Sequence, residues 1–332
     1  MIDVACRPPA ENANRIVGDG FERLGLRPST AGATLGAFGI TVSPQMVVAP
    51  TRRLPPPGIA YRSGPAQVGE HEAGWNMRNV KFQTGGDMKK RWAVLLVREG
   101  LREEFSGPGD PELETFLRAF LARCAASGLL NADAPPRIME ADASPNGDNI
   151  QRTRAIENIR ATLRAQLRPT EKPSFVLVLL SSGNKNIYHG IKRLADMSMG
   201  IHTVHMVLSK AKLDPNRPNK QVQYFANVAL KVNAKLGGVN HLLDERSMAW
   251  LRTKTTMVMG IDVTKPGPGS TPGTPSIAAV VASIDDRFAQ FPASLSLQKP
   301  DWDKDSKEVS GPRVRTSMTP LTKNRWSKIS QT

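Results

Sequence analysis

Between residues 92 and 236, short apolar runs alternate with amphipathic helices, and this alternation fixes the class of fold open to the chain. Trp92–Val97 is a continuous apolar run of the kind buried on both faces of a parallel sheet. Glu112–Ala126 carries Leu113, Phe116, Leu117, Phe120, Leu121 and Cys124 at helical spacing. Asn131–Asn149, rich in Ala, Asp, Pro and Asn, reads as loop. A helix over Thr153–Leu167 leads to a strand at Phe175–Leu180, a helix at Tyr188–Met197, a strand at His202–Leu208 and a helix at Gln221–Leu236. The rhythm predicts an α/β layer, doubly wound on a parallel sheet.

The flanks are of different character. Residues 1–85 read as an extended connector with one helical stretch, Ala10–Leu24, whose Ile16, Val17, Phe21 and Leu24 recur at helical spacing. Ser43-Pro44, Pro50 and Pro55-Pro56-Pro57-Gly58 break any longer element. Trp75-Asn76-Met77-Arg78 and Val80-Lys81-Phe82 predict short strands. Beyond Gly237-Gly238, strands at Thr255–Val263 and Ser276–Ile284 flank the Pro/Gly-rich Lys265–Pro275, an antiparallel hairpin opening a new domain, with a third strand at Phe291–Leu297. The last thirty residues show little periodicity and predict a disordered tail.

Charge points to a polyanionic partner. The chain carries a net +15 with a pI near 10.1. Residues 181–240 hold nine Lys and Arg against two Asp, so the charge is concentrated beside the last helix of the α/β layer. The two cysteines, Cys6 and Cys124, form neither a disulfide framework nor a metal-binding spacing, which fits a reducing, cytoplasmic setting. No apolar run approaches bilayer length and the first residues have no apolar signal core, so no membrane partner is expected.

Within that basic region Tyr188 and Lys192, and again Lys231 and Lys235, are spaced i,i+4 and project from one face of their helices. On Gln221–Leu236, Val222, Phe225, Ala229, Val232 and Leu236 share one face, with Gln223, Asn227, Lys231 and Lys235 opposite. Alone, that is an ordinary amphipathic helix with a solvated lysine stripe. The Tyr188–Lys192 pair shifts the balance, because it follows a buried strand and the glycine-containing loop Ser181-Ser182-Gly183-Asn184-Lys185-Asn186. A helix start after a parallel strand, here with Asn186 as N-cap, favours anions. Lys192, Lys231 and Lys235 are expected to neutralise a terminal monophosphate, and Tyr188 to stack on the adjoining base. Gly183, Asn184, Lys185 and Asn186 would meet the base edge, with His202, Thr203 and Asn227 lining the pocket. No GxxxxGK or GxGxxG motif is present, which argues against a nucleoside triphosphate or dinucleotide. Asp262 interrupts the apolar Met257–Ile261, where it either caps the following turn or serves as one ligand of a Mg²⁺ site. The five histidines show no metal spacing; His202 and His205, three apart on one strand, are expected on opposite faces without chemistry.

Four segments carry a family resemblance: Trp75-Asn76-Met77-Arg78 through Phe82-Gln83-Thr84-Gly85; Ile187-Tyr188-His189-Gly190-Ile191-Lys192-Arg193; Leu230-Lys231-Val232-Asn233-Ala234-Lys235-Leu236-Gly237-Gly238-Val239-Asn240; and Gly260-Ile261-Asp262-Val263-Thr264 with Pro275-Ser276-Ile277-Ala278-Ala279-Val280-Val281. In order and spacing the chain resembles a eukaryotic Argonaute, most similar to the fungal RNA-silencing type. The resemblance implies a linker 2 region over 1–88, a Rossmann-like MID domain over 89–253, the first strands of an RNase H-like PIWI domain over 254–300, and an unassigned tail over 301–332. It implies that Tyr188, Lys192, Lys231 and Lys235 hold the 5′-phosphate and first base of a small guide RNA. Thr203 or Val204 stands where many relatives carry a glutamine. Asp262 matches the first catalytic acid of PIWI, a Mg²⁺ ligand in the complete family site, and Lys265 stands where relatives usually carry a histidine. The N-terminal and PAZ domains and the remaining catalytic carboxylates are not in the sequence. The expectation is a fragment without a cofactor of its own that binds guide RNA without cutting. The alternative reading is a guide-directed, Mg²⁺-dependent RNA endonuclease in the full-length parent, whose expected partners are target RNA and silencing-complex proteins.

Overall fold

The computed structural model describes residues 6–26, 35–69, 73–77, 79–89, 91–145, 147, 151–167, 171–212, 218–267, 270 and 273–298. The expected tail over 301–332 lies outside them, as does Arg78. Two compact units are present, residues 1–55 and 56–332. In the first, α1 (Pro9–Arg15) runs into a π-helical turn, Ile16–Gly20, and a last helical turn, Phe21–Arg23. Glu11 braces α1, lying 3.2 Å from Arg15 and 3.6 Å from Arg7. None of the three segments buries a residue, so the helix predicted at Ala10–Leu24 forms without a core of its own.

In the second unit, β1 (Ile59–Tyr61), β2 (Gly64–Ala66) and the short β7 (Leu242–Leu243) make a small antiparallel sheet in the order β2-β1-β7. The centre is a parallel sheet in the order β4-β3-β5-β6, from β3 (Ala93–Arg98), β4 (Arg137–Asp142), β5 (Val176–Leu180) and β6 (Thr203–Val207). Alternation along these strands sorts two cores. Val94, Leu96, Leu177, Leu179, Val204 and Met206 face α2 (Pro111–Ala126) and α6 (Pro218–Lys235). Leu95, Val97, Val176, Val178 and Leu180 face α3 (Thr153–Gln166) and α4 (Lys185–Arg193). A one-turn helix, α5 (Leu208–Ala211), leaves β6, and α7 (Glu245–Arg252) follows β7. Among the described residues no helix is long and apolar enough to cross a membrane.

The predicted α/β layer is therefore present, with four differences in detail. The segment read as loop contains β4, an edge strand that fully buries only Met139 and Ala141, so its apolar signal is weak. Trp75–Met77 and Val80–Phe82 form no strand; the Trp75 indole donates to the Tyr61 hydroxyl at 3.0 Å and Arg123 to the Met77 carbonyl at 2.6 Å, while the Phe82 amide donates to the Ser127 carbonyl at 2.8 Å. The helix predicted at Tyr188–Met197 starts at Lys185 and passes into a π-helical turn, Leu194–Met199, closed by Gly200 at φ 62°. On α6, Val222 is exposed and not part of the apolar face.

The hairpin after α7 forms as expected. The strands β8 (Met259–Thr264), β9 (Ser276–Ala282) and β10 (Ala293–Gln298) pair antiparallel in the order β10-β9-β8.

Candidate nucleic-acid interface

The site is built at β6, the edge strand of the parallel sheet, with α4 packed on one face of that sheet and α6 on the other. Asn184 starts α4: its side-chain oxygen accepts from the backbone N–H groups of Asn186 at 3.0 Å and Ile187 at 3.1 Å. It is therefore Asn184, not Asn186, that caps the helix, because only its side chain reaches two of the unpaired amides of the first turn. Ser181 fastens the loop to the sheet, donating to the Val97 carbonyl at 2.6 Å. Ile187 and Ile191 are buried against the sheet, which turns Tyr188 and Lys192, one residue further on, toward its edge.

From the opposite face α6 buries Phe225, Val228, Ala229 and Val232 and presents Lys231 and Lys235. Its C-terminal end is held by Asn233, fully buried, whose side chain accepts from the Gly86 amide at 2.6 Å and donates to Thr84 and Asn240. Gly238 is required here, since a Cβ would sit 2.3 Å from the Asn233 side-chain oxygen.

The three lysines converge. Lys192 is half-buried and its ammonium donates to the Thr203 carbonyl and hydroxyl, both at 2.9 Å. Burial holds its pKa below the ordinary lysine value, and the like charges of Lys235 and Lys231 add to the depression while Asp196 opposes it. Among the described residues no carboxylate forms an ion pair with Lys192, Lys231 or Lys235. The like charges of Lys231 and Lys235 disfavour the ionised state of the half-buried Lys192, and an anion between the three would reverse that cost.

Tyr188 stands beside the cluster, 39% exposed, its ring centroid 4.7 Å from that of His205. Thr203 is buried and engaged with Lys192, whereas Val204 points to the opposite core. Gly183, Lys185 and Asn186 lie exposed in and just after the loop; Asn227 is exposed one turn before Lys231 and is not drawn into the cluster.

His205 is the residue missed by sequence reasoning. It shares its face of β6 with Thr203 and abuts Tyr188. Burial, with the fields of Lys192, Lys235 and Lys231, lowers its pKa to about 3. His202 precedes the strand, so the expectation of opposite faces does not apply; burial first, then Lys235, lowers its pKa also. The available signal was a polar ring interrupting an apolar strand directly across from the lysine helix.

Asp262 lies on β8, paired in register with Ala279, and every residue of that strand is exposed. The desolvation that made a strand carboxylate demanding is thus not present. Among the described residues no cluster of three His, Cys, Asp or Glu could hold a metal, so Asp262 stands there as a single solvated donor, and one carboxylate does not make a Mg²⁺ site. A wide cleft of about 970 Å³ between residues 242–257 and 283–288 is lined by both signs of charge, among them Glu245, Arg252, Lys254 and Asp285, and has no comparable cationic focus.

Two family models match the chain, the Argonaute linker 2 domain over residues 11–61 and the Piwi domain over residues 175–307. The rice protein argonaute MEL1 is 32% identical over 255 residues, 75% of this chain and 22% of that protein. The chain belongs to the Argonaute family. Rice protein argonaute 14 is 29% identical over 90% of this Argonaute chain and 26% of its own length, so the chain spans about a quarter of the curated relatives it matches. Two solved structures share the fold. Kluyveromyces polysporus Argonaute with a guide RNA superposes with a TM-score of 0.59 at 21% identity, covering 91% of this chain and 34% of that one. The C-terminal lobe of a budding yeast Argonaute gives 0.55 at 23%, covering 74% and 49%. The mixed α/β fold with a parallel sheet, read from the sequence, is thereby established.

Proposed function

We propose that this chain anchors the 5′-phosphorylated end of a small guide RNA for RNA silencing, in the cytoplasm. The observation that carries the reading is the convergence of Lys192, Lys231 and Lys235, with no ion pair to a carboxylate among the described residues, beside the partly open ring of Tyr188. A terminal phosphate monoester carries up to two negative charges and three acceptor oxygens, which suits three ammonium donors; an internal phosphodiester carries one. The ring offers a stacking surface for the first base, and the loop carrying Gly183, Asn184, Lys185 and Asn186 lies one helical turn from it. We assign residues 1–88 to linker 2, 89–253 to MID and 254–300 to the start of PIWI. Target RNA and silencing proteins would be partners of a longer parent. Asp262 alone does not support cleavage by this chain.

The stacking half of the reading is tested at Tyr188. Tyr188→Ala should weaken guide binding by about 1–3 kcal/mol, the contribution of one base on one ring, while keeping the preference for a 5′-phosphate. Tyr188→Phe should be far milder. Fluorescence anisotropy on both variants decides it: a Phe variant as weak as the Ala variant would shift the weight from the ring to the hydroxyl.

A further inference from the structure

We propose that His205 is a ligand-binding residue of the same pocket, presenting a neutral ring N–H to a non-bridging oxygen of the terminal phosphate. The inference rests on the 5′-phosphate reading and adds to it a residue that sets phosphate specificity. Alternation along β6 puts its ring with Thr203, which holds the Lys192 ammonium, on the side toward α4, while Val204 and Met206 enter the core beneath α6. Its Nε2 is buried without a hydrogen-bond partner. A buried polar nitrogen left unpaired is costly, and native proteins keep such groups chiefly where a ligand or water completes them.

The surroundings fix the form of the ring. Lys192 from α4 and Lys231 and Lys235 from α6 all act on His205, and no carboxylate opposes them there; Tyr188 covers one side of the ring. A fourth cation in that field would be repelled. A neutral imidazole with hydrogen on Nε2 instead adds a directed donor at no further cost in like charge. Three ammonium groups attract any anion, and a fixed N–H donor selects for oxygen placed at one point. This separates a terminal phosphate from the passing phosphodiester of an internal nucleotide, which every basic surface attracts.

Packing alone would also explain a ring beneath Tyr188, so the test must divide the two roles. His205→Phe keeps an aromatic ring in place and deletes the nitrogen. Affinities of wild type and His205→Phe should be measured for one RNA with a 5′-phosphate and with a 5′-hydroxyl. The expected result is a wild-type preference for the phosphate, taken as the ratio of the two affinities, that falls about ten-fold or more in the variant. An unchanged preference overturns the role of His205 and leaves the lysine pocket standing. A wild-type chain with no preference overturns the pocket and His205 together. Should the Phe variant fold poorly, ¹⁵N NMR of the wild-type imidazoles gives an independent answer: the His205 Nε2 signal should shift on adding a nucleoside 5′-monophosphate and not the nucleoside. A signal that moves equally with both contradicts the proposal.

Discussion

Lys192→Ala should weaken binding of a 5′-phosphorylated RNA about ten- to hundred-fold and leave binding of the 5′-hydroxyl RNA nearly unchanged. The range follows from the roughly 1.5–3 kcal/mol of a charge-assisted hydrogen bond, at about 1.4 kcal/mol per factor of ten. Lys192 is chosen over Lys231 because it is the half-buried member, fixed on Thr203, and its desolvated charge is the one an anion stabilises most. Exposed Lys231 should cost less, since solvent screens it. Equal losses for the two RNAs would mean that Lys192 contributes only to a diffuse basic surface.

Phe225→Ala should destabilise the fold by about 3–5 kcal/mol, the usual cost of removing a buried aromatic ring. Phe225 is 2% exposed and sits edge-on to Phe116 at 5.1 Å and to Phe120 at 5.6 Å, so it locks α6 to α2. For a unit of this size that corresponds to a fall in Tm of roughly 6–20 °C. The variant should keep its phosphate preference below its own melting temperature, because Lys231 and Lys235 project from a different side of α6 than the buried Phe225. Thermal denaturation followed by circular dichroism checks the first statement; a Tm within two or three degrees of wild type would show that α6 is held by other contacts.

What the sequence made legible was set by burial. Strands β3, β5 and β6 and helices α2, α3 and α6 bury enough residues to impose a period on the sequence. The edge strand β4 alternates Ile138 and Glu140 with its two buried residues, so composition alone made it look like loop. The capping of α4 depends on which of two asparagines, Asn184 or Asn186, meets the free amides, and spacing cannot tell them apart. The i,i+4 spacing set Tyr188 with Lys192 on α4 and Lys231 with Lys235 on α6. That Lys192 reaches Thr203, and that His205 lies beneath Tyr188, depends on how the two helices straddle one strand. Asp262 was read against a buried strand, whereas β8 is exposed along its whole length.

The central claim is that the three lysines form a site for a terminal phosphate and not a generic basic face. Its most direct test is the affinity of the wild-type chain for one short single-stranded RNA carrying either a 5′-phosphate or a 5′-hydroxyl, measured across a range of salt. The account predicts at least ten-fold tighter binding of the phosphorylated RNA, and a preference that persists as salt rises, because a half-buried cluster is screened less than exposed charge. Equal affinities at every salt concentration would contradict it.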